Sequence, residues 1–159
     1  MFNTEPAPSR IQTQLEYGIP ATDEGMLPWA FVTERLRQAR NYGLVTVRPN
    51  GRPHAVPVWG VVVDGALHFG MGRDTLKARN LARNPNVVIH LDSSEEVVIV
   101  EGRAEEITAP ALQTRLDDAY EAKYQIRHGA PVYALRPAVV FAWDAGYPIT
   151  ATRWKFNRK

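Results

Sequence analysis

The chain contains 159 residues, of which 45% are hydrophobic and 23% are charged, and its formal net charge at pH 7 is +2. This length suits a single domain with one core, and the mildly basic balance does not by itself indicate a nucleic-acid partner. The sequence has no cysteine, which excludes disulfides, thiolate metal sites and cysteine nucleophiles.

The N-terminal part is polar and contains several prolines. Pro6, Pro8 and Pro20 stand among polar residues, which predicts an extended arm over residues 1–26 ahead of one folded domain over residues 27–159. Residues 1–14 lack the apolar stretch of a secretory signal, and no apolar run in the chain reaches the length of a membrane span. We therefore expect a cytoplasmic protein that does not enter a membrane.

A helix and a β meander follow the arm. Hydrophobic residues at helical spacing from Trp29 to Ala39 predict a helix, which ends at Asn41-Tyr42-Gly43. Turns are expected at Asn50-Gly51 and Asp64-Gly65. They separate strands predicted over residues 44–48, 54–63 and 66–70. Pro57 falls inside the second of these strands, which indicates a sheet edge or a bulge.

The second half of the chain adds two helices and more strands. One helix is predicted over residues 74–84, because the residue before Pro85 is forced out of helical geometry, and another over 110–124. Further strands are predicted over residues 87–91, 96–107, 132–135, 138–143 and 150–156. Six or more short strands with a few short flanking helices indicate a mainly β fold with α-helices (α+β). We expect a closed or nearly closed antiparallel barrel, since closure removes exposed sheet edges.

The stretch from Gly70 to Asn80 has the features of a phosphate-binding turn. It runs from a strand through a glycine-bearing turn into a helix start, where free backbone N–H groups and cations favour an anion. The functional interpretation is that Thr75 and Lys77 contact a phosphate, with Arg73 or Arg79 nearby. The alternative is an ordinary surface helix, capped by its own side chains and carrying solvated cations.

Two other segments are candidates for holding a planar ring. The run from His54 to Gly60 is an apolar strand in which Pro57, Val58 and Trp59 offer a wall for a ring. A core strand with Trp59 as filler explains the same pattern. At the C-terminus, Arg153 and Lys155 alternate with Trp154 and Phe156, so that cations and aromatic rings lie on opposite faces of a strand. This strand either completes a cofactor site with Arg153 or Trp154, or only closes the barrel.

Taken in order, several short segments resemble the split β-barrel flavoprotein superfamily, over about residues 28–156. This superfamily includes the pyridoxamine 5′-phosphate oxidase-like proteins and the flavin- and deazaflavin-dependent oxidoreductases. The segments that carry the resemblance are Leu44–Arg48 with Gly51–His54, Pro57–Trp59, Leu67–Gly70, Lys77–Leu81 with Asn84-Pro85, and Val100–Ala104.

The resemblance implies a split antiparallel β-barrel that forms a homodimer, with two cofactor sites at the subunit interface. The cofactor ring would lie along Pro57, Val58 and Trp59, and its phosphate against Thr75 and Lys77 with help from Arg73. Gly70 and Met71 would contribute backbone contacts, and Arg153 and Trp154 of the second subunit would cover the ring. The C-terminal segment of the oxidases that make pyridoxal phosphate is not evident in residues 153–156, so vitamin B6 oxidation is not expected.

The implied activity is two-electron hydride transfer to a small-molecule substrate, with either FMN or F420 as the cofactor. The sequence assigns no catalytic residue and no metal site, because its four histidines show no ligand-like cluster. F420 extends past its phosphate into an anionic tail, and so favours a further basic groove. One candidate for such a groove is the set Arg35, Arg37, Arg40, Arg48 and Arg52; the alternative is that these cations form an ordinary solvated face, as is usual on a helix.

Two other function classes fit parts of the sequence. A flavin- or haem-binding module for storage or sensing would hold a similar chromophore without turnover. A small barrel that binds nucleic acid would use Trp59, Trp154 and the arginines for stacking and charge neutralisation. The modest net charge disfavours this last interpretation.

Overall fold

The structure is a computed structural model that describes residues 5–12 and 17–157. The helices are α1 (Trp29–Gln38), α2 (Leu76–Arg83) and α3 (Pro110–Tyr124). The strands are β1 (Pro8–Arg10), β2 (Tyr42–Val47), β3 (Pro53–Val58), β4 (Gly60–Val63), β5 (Ala66–Gly70), β6 (Asn86–His90), β7 (Val97–Glu106), β8 (Val132–Trp143) and β9 (Thr152–Lys155). No helix in the described part of the chain combines the length and apolar character needed to cross a bilayer.

The described strands form one antiparallel sheet that bends back on itself. Hydrogen bonding connects β3, β2, β6, β7 and β8 in that order; the first part of β8 then pairs with β5, which pairs with β4. The chain runs directly from β3 into β4 through Trp59, so the two ends of this path are joined covalently rather than by a ladder. The α+β split-barrel prediction is confirmed.

The predicted strand over residues 54–63 is two strands in the structure. Residues up to Val58 pair with β2, and residues from Gly60 pair with β5, so Trp59 marks the split between two arms of the sheet. The corner is tight, because a Cβ atom on Gly60 would lie 2.9 Å from the carbonyl oxygen of His68. Pro57 therefore lies in an edge strand, one of the two positions that the sequence indicated.

The two strands predicted over residues 132–135 and 138–143 are one continuous strand, β8. The register against its partner β7 shifts where Glu101 pairs with Val139 and Gly102 with Pro137, so that Ala138 of β8 is the extra residue of a β-bulge. A Cβ on Gly102 would lie 2.3 Å from the carbonyl oxygen of Arg136. The glycine therefore allows the two backbones to approach, and β8 passes Pro137 without interruption.

The main core lies between α1 and the inner face of the sheet. Tyr42, Leu44 and Trp154 are fully buried there, and the ring of Trp29 meets Trp154 edge-on at 5.4 Å. A smaller cluster lies under α3, where Leu116 of this helix packs with buried residues of β4 and β8. The helix is thereby held against the strands next to Trp59.

The N-terminal segment joins the sheet through β1, which pairs with β9. The guanidinium of Arg10 donates to the backbone carbonyls of Thr22, Glu24, Ile149 and Ala151, which attaches this strand to the loop before β9. Residues 1–4 and 13–16 of the predicted arm lie outside the described residues.

Candidate functional site

A cleft of about 300 Å³ opens beside the split in the barrel. It is lined by Asn41, Pro57, Val58, Trp59, Gly70, Met71, Lys77 and His128. The structure thus brings together six of the residues proposed from sequence to hold a cofactor. They come from the end of β3, the end of β5 and the start of α2, which the β4–β5 hairpin and the β2–β3 pairing bring side by side.

Two tyrosines of α3 hold the corner at Trp59. The Tyr120 hydroxyl accepts a hydrogen bond from the Gly70 N–H at 2.8 Å and donates to the Trp59 carbonyl at 3.0 Å. The Tyr124 ring stacks on the Trp59 indole with centroids 4.5 Å apart and planes 4° from parallel. Burial raises the pKa of Tyr120, so its hydroxyl stays protonated and able to donate. One helix therefore fixes both the corner at Trp59 and the end of β5.

The stretch from Gly70 to Lys77, which we call the α2 edge, begins with a well-defined helix cap. The Thr75 hydroxyl accepts from the Ala78 N–H at 3.3 Å and donates to the Gly72 carbonyl at 2.7 Å. The first N–H groups of a helix lack intrahelical acceptors and carry partial positive charge. Lys77 is half-buried and pairs with no carboxylate among the described residues. This edge is suited to an anion.

Helix α2 is fixed against the sheet by a buried hydrogen bond. Asn80 is 1% exposed, and its side-chain nitrogen donates to the Thr46 hydroxyl at 2.9 Å. Because Thr46 is itself fully buried on β2, the bond ties the helix to a central strand. Lys77, one turn earlier, is thereby held beside the cleft.

Four predicted site residues do not line the cleft. Arg73 is mostly exposed and pairs with Glu106 at 2.6 Å, and the Thr75 hydroxyl is engaged in the helix cap. The Arg153 side chain reaches Ser9 at 3.3 Å. Trp154 has no exposed surface, because its indole packs in the core of its own chain. It cannot cover a ring bound to a second subunit without leaving that core.

Two cleft residues, Asn41 and His128, were missed in the sequence. The sequence around Asn41 indicates only a helix stop. His128 follows α3 and packs on the backbone of Gly70, where a Cβ would lie 2.3 Å from Cε1 of its imidazole. Its Nδ1 is 2.9 Å from the Gly129 carbonyl, which can only accept, so the proton sits on Nδ1. No local pattern indicates this contact, since the β5–β8 pairing creates it.

A positively charged cluster lies behind Trp59, next to the cleft. We call it the Trp59 edge, and it consists of Trp59, Tyr124, Arg40 and Lys123. The Lys123 ammonium donates to the Tyr42 hydroxyl at 2.9 Å and to the Gly60 carbonyl at 2.8 Å. Burial, together with the charge of Arg40, lowers the pKa of Lys123 to about 8.

These features together fit a flat, phosphorylated ligand. Pro57, Val58 and Trp59 form an apolar wall, while Lys77 and the helix start supply charge and donors at one end. A flavin-type cofactor has this combination of a planar ring and a terminal phosphate. The residues present are therefore compatible with such a group, and those that would hold it are the ones lining the cleft.

Comparison with known proteins gave a family match. The family described as pyridoxamine 5′-phosphate oxidase matches residues 30–146. This range includes every residue that lines the cleft. No curated protein matches the chain.

Several solved structures share the fold. The conserved hypothetical protein Rv2991 from Mycobacterium tuberculosis is 22% identical with a TM-score of 0.69, over 79% of this chain and 89% of that one. A heme-binding protein from Mycobacterium smegmatis is 24% identical with a TM-score of 0.63, over 80% and 58%. An F420 reductase is 23% identical with a TM-score of 0.53, over 75% and 98%. At these identities the likeness concerns the fold.

Proposed function

Since the chain belongs to the pyridoxamine 5′-phosphate oxidase family, we propose that its cleft binds a flavin-type cofactor, FMN or F420, for two-electron redox chemistry on a small-molecule substrate. The observation that carries the proposal is that Pro57, Val58, Trp59 and Lys77 line one cleft. The similarity in fold to an F420 reductase supports the same class of cofactor. Titration with each cofactor distinguishes FMN from F420.

Each part of the cleft has its own task in this proposal. Lys77 and the backbone at Gly70 and Met71 hold the phosphate, with Arg73 available if its exposed ion pair with Glu106 opens. Pro57, Val58 and Trp59 support the ring and exclude water from one face. When bound, the cofactor supplies the hydride transfer, and the protein contributes binding, orientation and shielding.

The proposal includes a homodimer formed through the outer face of the sheet. Partly exposed apolar side chains lie on this face, among them Val45, Val88, Ile99 and Phe141. Pro57 belongs both to the cleft and to this face, because the register connects it through Gly43, His90, Ile99 and Phe141 to Arg153. A volume of about 300 Å³ is at the small end for a ligand site. A second copy on this face would enlarge the cleft, and its Arg153 would be the residue to reach it.

The test is the spectrum and mass of what co-purifies with the protein, followed by titration with each cofactor. FMN gives a yellow protein with flavin absorbance, whereas F420 must be added back if the host does not make it. Sedimentation should give a dimer for the wild type and a monomer for Phe141→Glu, with Ile126→Glu on an exposed site as control. A protein that binds neither cofactor would contradict the proposal.

A second candidate is a haem-binding module for storage or sensing. His128 lines the cleft and offers an imidazole, and one protein of similar fold is described as heme binding. This function predicts an intense Soret band after addition of haemin, lost in His128→Ala, and no binding of FMN or F420. The two candidates are therefore separated by the same titrations.

A further inference from the structure

Two cations lie close together at the Trp59 edge. The guanidinium carbon of Arg40 is 5.3 Å from the centroid of the Tyr124 ring, and the Lys123 nitrogen is 5.2 Å from the same centroid. Tyr124 stacks on Trp59, and Asn41, the residue after Arg40, lines the cleft. Both positive charges therefore lie next to residues that line the cleft.

No carboxylate of the described chain neutralises this pair. The acidic residues of α1 and α3 that form ion pairs do so with other arginines: Glu34 with Arg35, and Asp118 and Glu121 with Arg127. Neither Arg40 nor Lys123 forms an ion pair with the described residues. Like charges that lack a counter-ion repel one another, and an anion placed between them would relieve that repulsion.

Donors remain available for such an anion. Arg40 is exposed, and its guanidinium makes no hydrogen bond to the described residues. Lys123 is held in place by the Tyr42 hydroxyl and the Gly60 carbonyl, which leaves one of its three N–H donors. A flexible arginine beside a fixed ammonium can bind a carboxylate or a phosphate.

This position is separate from the α2 edge. Helix α2 is tied to β2 at Thr46, whereas Lys123 is tied to the same strand at Tyr42. Four strand residues span about 13 Å. The two candidate anion positions are therefore anchored at opposite ends of β2.

We propose that Arg40 and Lys123 form an anion subsite at the Trp59 edge, which binds a carboxylate or phosphate group of the substrate beside the cofactor ring. The assignment to a substrate rests on the proposed function, and it narrows the substrate class to small molecules that carry an anionic group. The subsite itself depends only on the two cations and their surroundings.

Calorimetric titration with succinate as the probe tests the subsite. In cofactor-saturated protein at pH 7, Arg40→Gln should weaken succinate binding about 10- to 100-fold, the scale of one hydrogen bond to a charged group. The control Arg83→Gln removes an equal charge from an exposed site at the end of α2 and should change binding less than twofold. Equal binding by wild type and Arg40→Gln, or no binding by the wild type, would overturn the subsite.

Two further arms separate the possible failures. The first arm uses protein without cofactor, in which Lys77→Ala has removed the cation of the α2 edge. Succinate binding is compared between this variant and the double variant Lys77→Ala/Arg40→Gln. Loss of binding in the double variant supports the subsite even if neither FMN nor F420 binds the wild type. The affinities for FMN and F420 are then compared in wild type and Arg40→Gln. Unchanged affinities support a substrate anion. A selective loss for F420 would assign the subsite to the cofactor tail and overturn the substrate assignment.

Discussion

The two edges of the cleft are built in different ways. The α2 edge is one continuous stretch of chain, in which a strand, a turn and a capped helix place Lys77 by local geometry. The Trp59 edge combines the β3–β4 corner, Tyr120 and Tyr124 of α3, and Arg40 after α1. A local motif can be altered with little effect on the fold, whereas an edge assembled from distant elements couples binding to stability.

The largest expected effect on stability is at the assembled edge. Tyr120→Phe leaves the Gly70 N–H and the Trp59 carbonyl without their hydroxyl partner. We expect a loss of about 2–4 kcal/mol in the free energy of unfolding, since each unpaired buried polar group costs roughly 1–3 kcal/mol. Urea unfolding measures this loss. Tyr147→Phe, at a tyrosine that is 42% exposed, is the control and should change stability little.

At the α2 edge, a substitution should change cofactor binding and leave the fold intact. Lys77→Ala should weaken cofactor binding by about 1.5–3 kcal/mol, the scale of a hydrogen bond to a charged group, with an unfolding midpoint close to that of wild type. Lys155→Ala on β9 removes the same charge from an exposed site and should do less. Unchanged affinity in the Lys77 variant would mean that the phosphate binds elsewhere.

The contact between Gly70 and His128 links the α2 edge to the loop after α3. A methyl group in Gly70→Ala would stand 2.3 Å from the imidazole and force the ring away from the cleft. We expect a stability loss of about 1–2 kcal/mol from this overpacking and altered cofactor affinity. The double variant Gly70→Ala/His128→Ala should recover part of the lost free energy of unfolding, which denaturant unfolding measures. Purely additive effects would show that the two residues do not interact.

The smallest effect is a pH dependence at the Trp59 edge. The folded-state pKa of Lys123, about 8, lies below its ordinary value of 10.5, so the unfolded chain binds more protons between these pH values. The free energy of unfolding of the wild type, relative to that of Lys123→Met, should therefore rise from pH 8 towards pH 10.5. Because Lys123 is partly exposed, the gain should stay below about 1 kcal/mol.

Thermal unfolding of both proteins at pH 7 and pH 9.5 measures this difference. The groups facing the ammonium are Tyr42, Tyr124 and Arg40, all of which the variant keeps. Subtracting the two curves therefore removes their own contributions. A difference that is constant with pH would show that the pKa of Lys123 is not lowered.

Much of the fold follows from local patterns in the sequence. The hairpin signals at Asp64-Gly65 and the helix stop at Pro85 correspond to the β4–β5 turn and the end of α2. The strand break at Trp59 was not predicted, because an apolar run has the same local pattern whether it pairs with one sheet arm or with two. The unbroken β8 was not predicted either, since the pairing with β7 carries the strand past Pro137 through a bulge at Ala138.

The sequence by itself determined the helices, most strands and the basic turn before α2, because each depends on neighbours within a few residues. Only the tertiary structure decided that Trp154 fills the core, that His128 and Asn41 reach the cleft, and that Arg40 stands beside Lys123. The physical reason is that these contacts join elements far apart in the chain. They depend on which strands pair and on where the barrel splits, and no local periodicity carries that information.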